Sequence, residues 1–172
     1  MSSPSWSLES SISQYSNERR QKYYIGRVLI PTTLLRVDAT IQRPFDQAHA
    51  SSIKPMYATD IDTRSVDPLE CVVPLAFKDK LDQWIAEQDP SLLSKTQPED
   101  MLVLSIHDCY FLIIKGQHRY KAYCQVMEEN NLPVSAPHPG HMSVELYHSG
   151  ESALLCNWSV VMGNWTFFFR SF

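Results

Sequence analysis

The residues with the clearest chemical potential lie in one short run, Lys115-Gly116-Gln117-His118-Arg119-Tyr120-Lys121. The preceding Tyr110-Phe111-Leu112-Ile113-Ile114 is apolar and reads as a buried strand. After it, Tyr120, Tyr123, Cys124 and Met127 fall at helical spacing over 117–129 and form an apolar stripe suited to a core. Gly116 tolerates the backbone angles of a sharp strand-to-helix turn. The first amides of such a helix have no partner in the helix itself, and its dipole favours negative charge, phosphate above all. His118 and Arg119 stand in that turn as candidate charged donors. The competing reading is a plain strand-Gly-helix corner with basic residues on its surface, and spacing alone does not separate the two.

Other familiar chemistries find little support. Among the histidines, His138 and His141 are close, but they sit in a Pro/Gly loop beside no carboxylate or thiol ligand, so no metal site is expected. No Ser-His-Asp order, Walker loop or dinucleotide glycine fingerprint occurs. Cys71, Cys109, Cys124 and Cys156 are widely spread without a Cys-x-x-Cys pair and read as buried free thiols.

At 172 residues, with 44% hydrophobic and 20% charged residues, the chain suits one globular domain. Its net charge of −4 argues against a stand-alone binder of duplex nucleic acid, which is usually basic. The start, Met1-Ser2-Ser3-Pro4-Ser5, has neither the charged opening nor the apolar run of a signal peptide. An intracellular location, cytoplasmic or nuclear, is expected, with no membrane span.

The elements that must position the motif follow from periodicity and breakers. Residues 1–18 read as a flexible N-terminal arm, 19–163 as the folded domain and 164–172 as an apolar tail. Val28–Ile30 predicts a strand stopped by Pro31, and 46–57 a helix that Pro55 should end early or distort. Leu69–Phe77 reads as a core strand. Lys78–Glu87 reads as an amphipathic helix, with Leu81, Trp84 and Ile85 on one face. Met101–Ile106 predicts a strand hairpinned to the one that feeds the motif. Met142–Tyr147 predicts another strand, and 151–161 a closing helix. The expected fold is α+β, a mixed sheet flanked by helices. Trp165 and four Phe in the last eight residues suggest a protein partner, a homodimer contact or a chain cut short.

These features carry a family resemblance. Gly116 to Tyr123, Gly-Gln-His-Arg-Tyr-Lys-Ala-Tyr, resembles the Gly-Cys-His-Arg-Tyr-x-Ala-Tyr signature of sulfiredoxins. It is also similar to the Gly-Glu-Arg-Arg-x-x-Ala box of ParB N-terminal domains. Upstream, Ile30-Pro31, then Gln42-Arg43-Pro44-Phe45-Asp46, a helical stretch with Ser52, and Asp67-Pro68-Leu69-Glu70-Cys71-Val72-Val73 follow the same order as that superfamily. The likeness spans roughly 27–160, with an insertion at about 77–98.

The resemblance implies a ParB/sulfiredoxin-like fold with nucleotide phosphates, of ATP or CTP with Mg2+, on Gly116, Gln117, His118 and Arg119. It also implies help from Arg43 and Ser52, with His49 standing where sulfiredoxins carry Lys. Glu70 matches an Asp of the family and would serve as a catalytic carboxylate, holding the metal ion, orienting His118 or acting as base, with Asp46, Asp60, Asp62 and Asp67 as alternatives. Gln117 replaces the catalytic cysteine, and an amide supplies no thiolate nucleophile, so sulfinic acid reductase activity is not expected. Three functions stay open: a nucleotide-binding module, a phosphotransferase or nucleotide hydrolase with Glu70 as base, and a DNA-binding or nuclease ParB-like domain.

Overall fold

The computed structural model describes residues 21–39, 42, 44–59, 67–129 and 138–148. The arm at 1–18, Arg43, the expected helix at 151–161 and the tail at 164–172 lie outside the described residues. Strand β1 (Tyr24–Pro31) leads through a 3-10 turn to β2 (Leu35–Val37) and helix α1 (Gln47–Thr59). Then come β3 (Leu69–Val73), a 3-10 turn, α2 (Lys78–Ala86) and a second 3-10 segment (Pro90–Ser94). Strand β4 (Phe111–Lys115), α3 (Gln117–Glu128) and β5 (His141–His148) complete the order.

The described strands form one five-stranded sheet in the order β1-β5-β3-β4-β2. β1 pairs antiparallel with β5, β5 parallel with β3, β3 antiparallel with β4, and β4 parallel with β2. The fold is therefore α+β with a mixed sheet, as the sequence predicts. β3 is central and buried at all five positions, which its Leu-Glu-Cys-Val-Val run permits only because Glu70 has partners.

Alternation along the strands separates two faces. Leu69, Cys71 and Val73 join Phe111, Ile113, Val144 and Leu146 in the main core, which α1 closes with Tyr57 and α3 with Ala122, Tyr123 and Val126. The opposite face holds a smaller cluster of Val72, Ile114 and Tyr147. Side by side, α1 and α3 meet through the Tyr57 and Tyr123 rings, 5.5 Å apart edge to face. Lys54 of α1 also pairs with Glu129, just past the end of α3.

Three expectations need correction. The Leu69–Phe77 strand stops at Val73, because Pro74 has no N–H to give the ladder and turns the chain into a 3-10 turn. Met101–Ile106 is not a strand and makes no hairpin with β4. It touches β1 at one bridge, Val103 to Leu29, while β4 takes β3 and β2 as neighbours. Pro55 does not end α1, which runs to Thr59. Burial of Tyr57, 1% exposed, rewards continuation past a proline that itself faces solvent. Cys71 and Cys109 are buried free thiols and Cys124 is half-buried, while Cys156 lies outside the described residues. Among the described residues no helix is long and apolar enough to cross a membrane.

Candidate anion-binding site

β4 ends at Lys115 and α3 begins at Gln117, so the turn is a single residue. Gly116 takes φ 100° and ψ 20°, a left-handed conformation that L side chains rarely adopt. Space also requires glycine, since an added Cβ would come within 2.6 Å of Leu69 Cδ2 and 3.0 Å of an Arg119 Nη. The first α-helical bond of α3 runs from the Tyr120 N–H to the Gly116 carbonyl, at 3.0 Å. The amides of 117–119 therefore lie outside the helix's own ladder.

A second helix start lies at the same end. Asp46 caps α1, its Oδ1 accepting the His49 N–H at 3.2 Å. Its own backbone N–H donates to His118 Nε2 at 2.9 Å. The Phe45 ring stacks on His118, with centroids 5.2 Å apart and planes 14° apart. The His49 ring meets His118 edge-on at 5.0 Å. Residues 45–49 thus meet the start of α3, while Lys54 meets its far end, so the two helices run the same way. Their N-terminal ends are neighbours. Each carries roughly half a positive charge, and an anion between them relieves the repulsion.

The charged donors expected at this turn are more committed than their spacing suggests. His118, 5% exposed, accepts at Nε2, so that nitrogen carries no proton in this geometry. It braces α1 against α3 and is not a charged donor through Nε2. Arg119 has a side chain only 14% exposed and pairs with Asp67 Oδ1 at 2.7 Å. The same guanidinium donates to the backbone carbonyls of Asp67 and Pro68. It therefore ties the approach to β3 onto the Gly116 turn. Gln117 is buried, 4% exposed, and its amide offers no thiolate at this turn.

Ser52 lies one turn along from His49 and donates its hydroxyl to the His49 carbonyl at 2.7 Å. It is exposed on the same side of α1, beyond the first-turn amides. Gly116, Gln117, His118 and Arg119 therefore come together with the α1 start, while the contact that places Ser52 is to His49 within α1. Glu70 does not join this group. Alternation places it with Val72 on the face away from α1 and α3, where it accepts from Lys115 Nζ at 2.9 Å.

That face carries a row of charge in strand register. Arg27 opposes Glu145, Glu145 opposes Glu70, and Glu70 opposes Lys115. Neighbouring carboxylates on adjacent strands repel. Here each leans outward to a cation, Glu145 to Arg27 at 2.8 Å and Glu70 to Lys115. Ile114 is passed over in the register, and that bulge lets Lys115 reach the Glu70 side. The row accounts for a buried Glu70 as part of the sheet.

Asp46 and Asp67, which the sequence offers only as alternatives to Glu70 for a carboxylate role, are the groups that organise the turn. An Asp just before a helical stretch is a readable cap signal, so Asp46 was within reach. Asp67 pairs with a residue 52 positions away, and no local pattern announces that. Among the described residues, no group of three His, Cys, Asp or Glu side chains is placed to hold a metal ion. A cavity of about 260 Å3 lies between α2 and residues 106–107, lined by Trp84, Ile106, Lys80, Gln83, Glu87 and His107. None of the expected site residues lines it. Comparison of the chain with protein-family models, with curated proteins and with solved structures finds no match.

Proposed function

We propose that this chain is a nucleotide-binding module of the ParB/sulfiredoxin type, without sulfinic acid reductase chemistry. The phosphates of a nucleoside triphosphate, ATP or CTP carried with Mg2+, rest on the Gly116–Arg119 turn. The observation that carries this reading is the meeting of two helix N-termini at His118, where the Asp46 N–H and the His118 ring join α1 to α3. Two parallel helix starts favour negative charge more than one does. The left-handed Gly116 permits the one-residue turn that brings the end of β4 straight into the start of α3. Arg119 already stands beside the turn, with an exposed carboxylate as its outer partner. That carboxylate is 67% exposed, so a multiply charged phosphate can reach the same guanidinium and compete with it.

Binding without turnover is preferred over phosphotransfer or hydrolysis. The carboxylates nearest the turn, Asp46 and Asp67, are capping α1 and pairing with Arg119. Glu70, the candidate base, is held by Lys115 on the other face of the sheet. The test is a thermal-shift panel of ATP, ADP, CTP and GTP with and without magnesium, followed by product analysis. Triphosphates should raise the melting temperature more than diphosphates, and no product should accumulate. Absence of any shift would remove the nucleotide reading, and steady product formation would restore the enzyme.

A further inference from the structure

We propose that Phe45 is the platform on which the base of the bound nucleotide stacks, so the site selects an aromatic-base nucleotide over a bare polyphosphate. The proposal rests on the phosphate reading above and extends it to the other end of the ligand. A phosphate turn is indifferent to what the phosphates are attached to. Discrimination needs a second contact within a nucleotide's length of that turn.

Phe45 has the position and the fixity for it. Phe45 is 42% exposed although its ring lies against His118 at 5.2 Å and 14°, close to parallel. His118 belongs to the first turn of α3, so the Phe45 ring stands one side chain away from the phosphate-facing amides. The chain on either side of the ring is anchored. Gln42 donates its side-chain N–H to the Ile113 carbonyl of β4, and the Asp46 N–H is held by His118. Pro44, immediately before Phe45, narrows the backbone further. An exposed Phe is ordinary by itself. An exposed ring fixed parallel on a buried imidazole, beside two helix starts, is a prepared stacking surface.

Among the described residues, the other exposed Phe and Tyr side chains are differently placed. Tyr24 packs on Tyr147 and Tyr110 on Phe77, neither at this turn. A base on Phe45 would continue the pile already formed by Phe45 and His118, with the His49 ring edge-on to His118. Stacking of this kind accepts any base, because every base has a π-face, and it favours the larger purines.

The test is calorimetric titration of the wild-type chain, Phe45→Leu and Phe45→Trp with ATP, CTP and inorganic tripolyphosphate. Leu keeps an apolar cover on His118 but removes the aromatic face. Phe45→Leu should weaken ATP and CTP about tenfold while changing tripolyphosphate affinity by less than about twofold. Phe45→Trp should retain nucleotide affinity, and the added indole emission should be quenched by nucleotides but not by tripolyphosphate. Equal weakening of all three ligands by Phe45→Leu, or of none, overturns the stacking role. Wild-type chain that binds tripolyphosphate as tightly as ATP and CTP overturns it too, while leaving the phosphate turn standing. Wild-type chain that binds none of the three overturns the phosphate reading itself, and the stacking role with it.

Discussion

Gly116 is the residue on which turn, packing and proposed function converge. A side chain there meets both an unfavourable φ of 100° and a Leu69 methyl at 2.6 Å. Gly116→Ala should therefore destabilise the fold by about 1–3 kcal/mol, read as a lower urea midpoint. An unchanged midpoint would mean the turn relaxes without strain. Arg119 has two roles that substitution can separate. Arg119→Ala removes hydrogen bonds to the Asp67 and Pro68 carbonyls as well as the proposed phosphate donor. It should cost roughly 1.5–3 kcal/mol in nucleotide binding and a measurable part of that in stability. Asp67→Asn leaves the guanidinium anchored on the carbonyls and removes the competing carboxylate, which is 67% exposed. It should tighten triphosphate binding and cost under about 1 kcal/mol in stability. Weaker binding by Asp67→Asn, in the same titration, would show that Arg119 needs its carboxylate and does not meet the ligand.

At the scale of elements, the strand-Gly-helix unit of β4 and α3 was legible because an apolar run and a helical stripe adjoin a single glycine. The 101–106 segment has the same apolar character, yet it touches β1 at one bridge. Composition says a segment is apolar but not which edge receives it. The partners of Glu70 were illegible for the same reason, since register across three strands decides them. His148 supplies a test of how α2 is held to the sheet. Its Nε2 lies 3.7 Å from Asp82 of α2, and its buried Nδ1 has no hydrogen-bond partner among the described residues. Burial pushes the His148 imidazole below its ordinary value of 6.5, with Asp82 opposing and Lys78 reinforcing that shift. The unfolded chain then binds the proton more readily than the folded one. The contribution is full above the ordinary value and is lost as pH falls through the lowered one. Unfolding measured from pH 7.5 to pH 5 should show wild type losing stability faster than His148→Gln below about pH 6.5. Parallel losses would mean that Asp82 compensates fully.

For the molecule as a whole, the sheet, its order and the two helices on one face put the positive ends of α1 and α3 together on a chain of net charge −4. Long-range attraction therefore contributes little to anion capture, and the local backbone must supply it. The sequence made both helix starts visible but not that they lie side by side, because nothing local to Phe45-Asp46 or to His118 states that they touch. The most direct measurement is amide-resolved NMR during titration with ATP or CTP and magnesium. The largest shifts should fall on the amides of Gly116, Gln117, His118 and Arg119 together with those of Gln47, Ala48 and His49. Shifts confined to the cavity lined by Trp84 and His107, or none at either helix start under saturating nucleotide, would contradict the account.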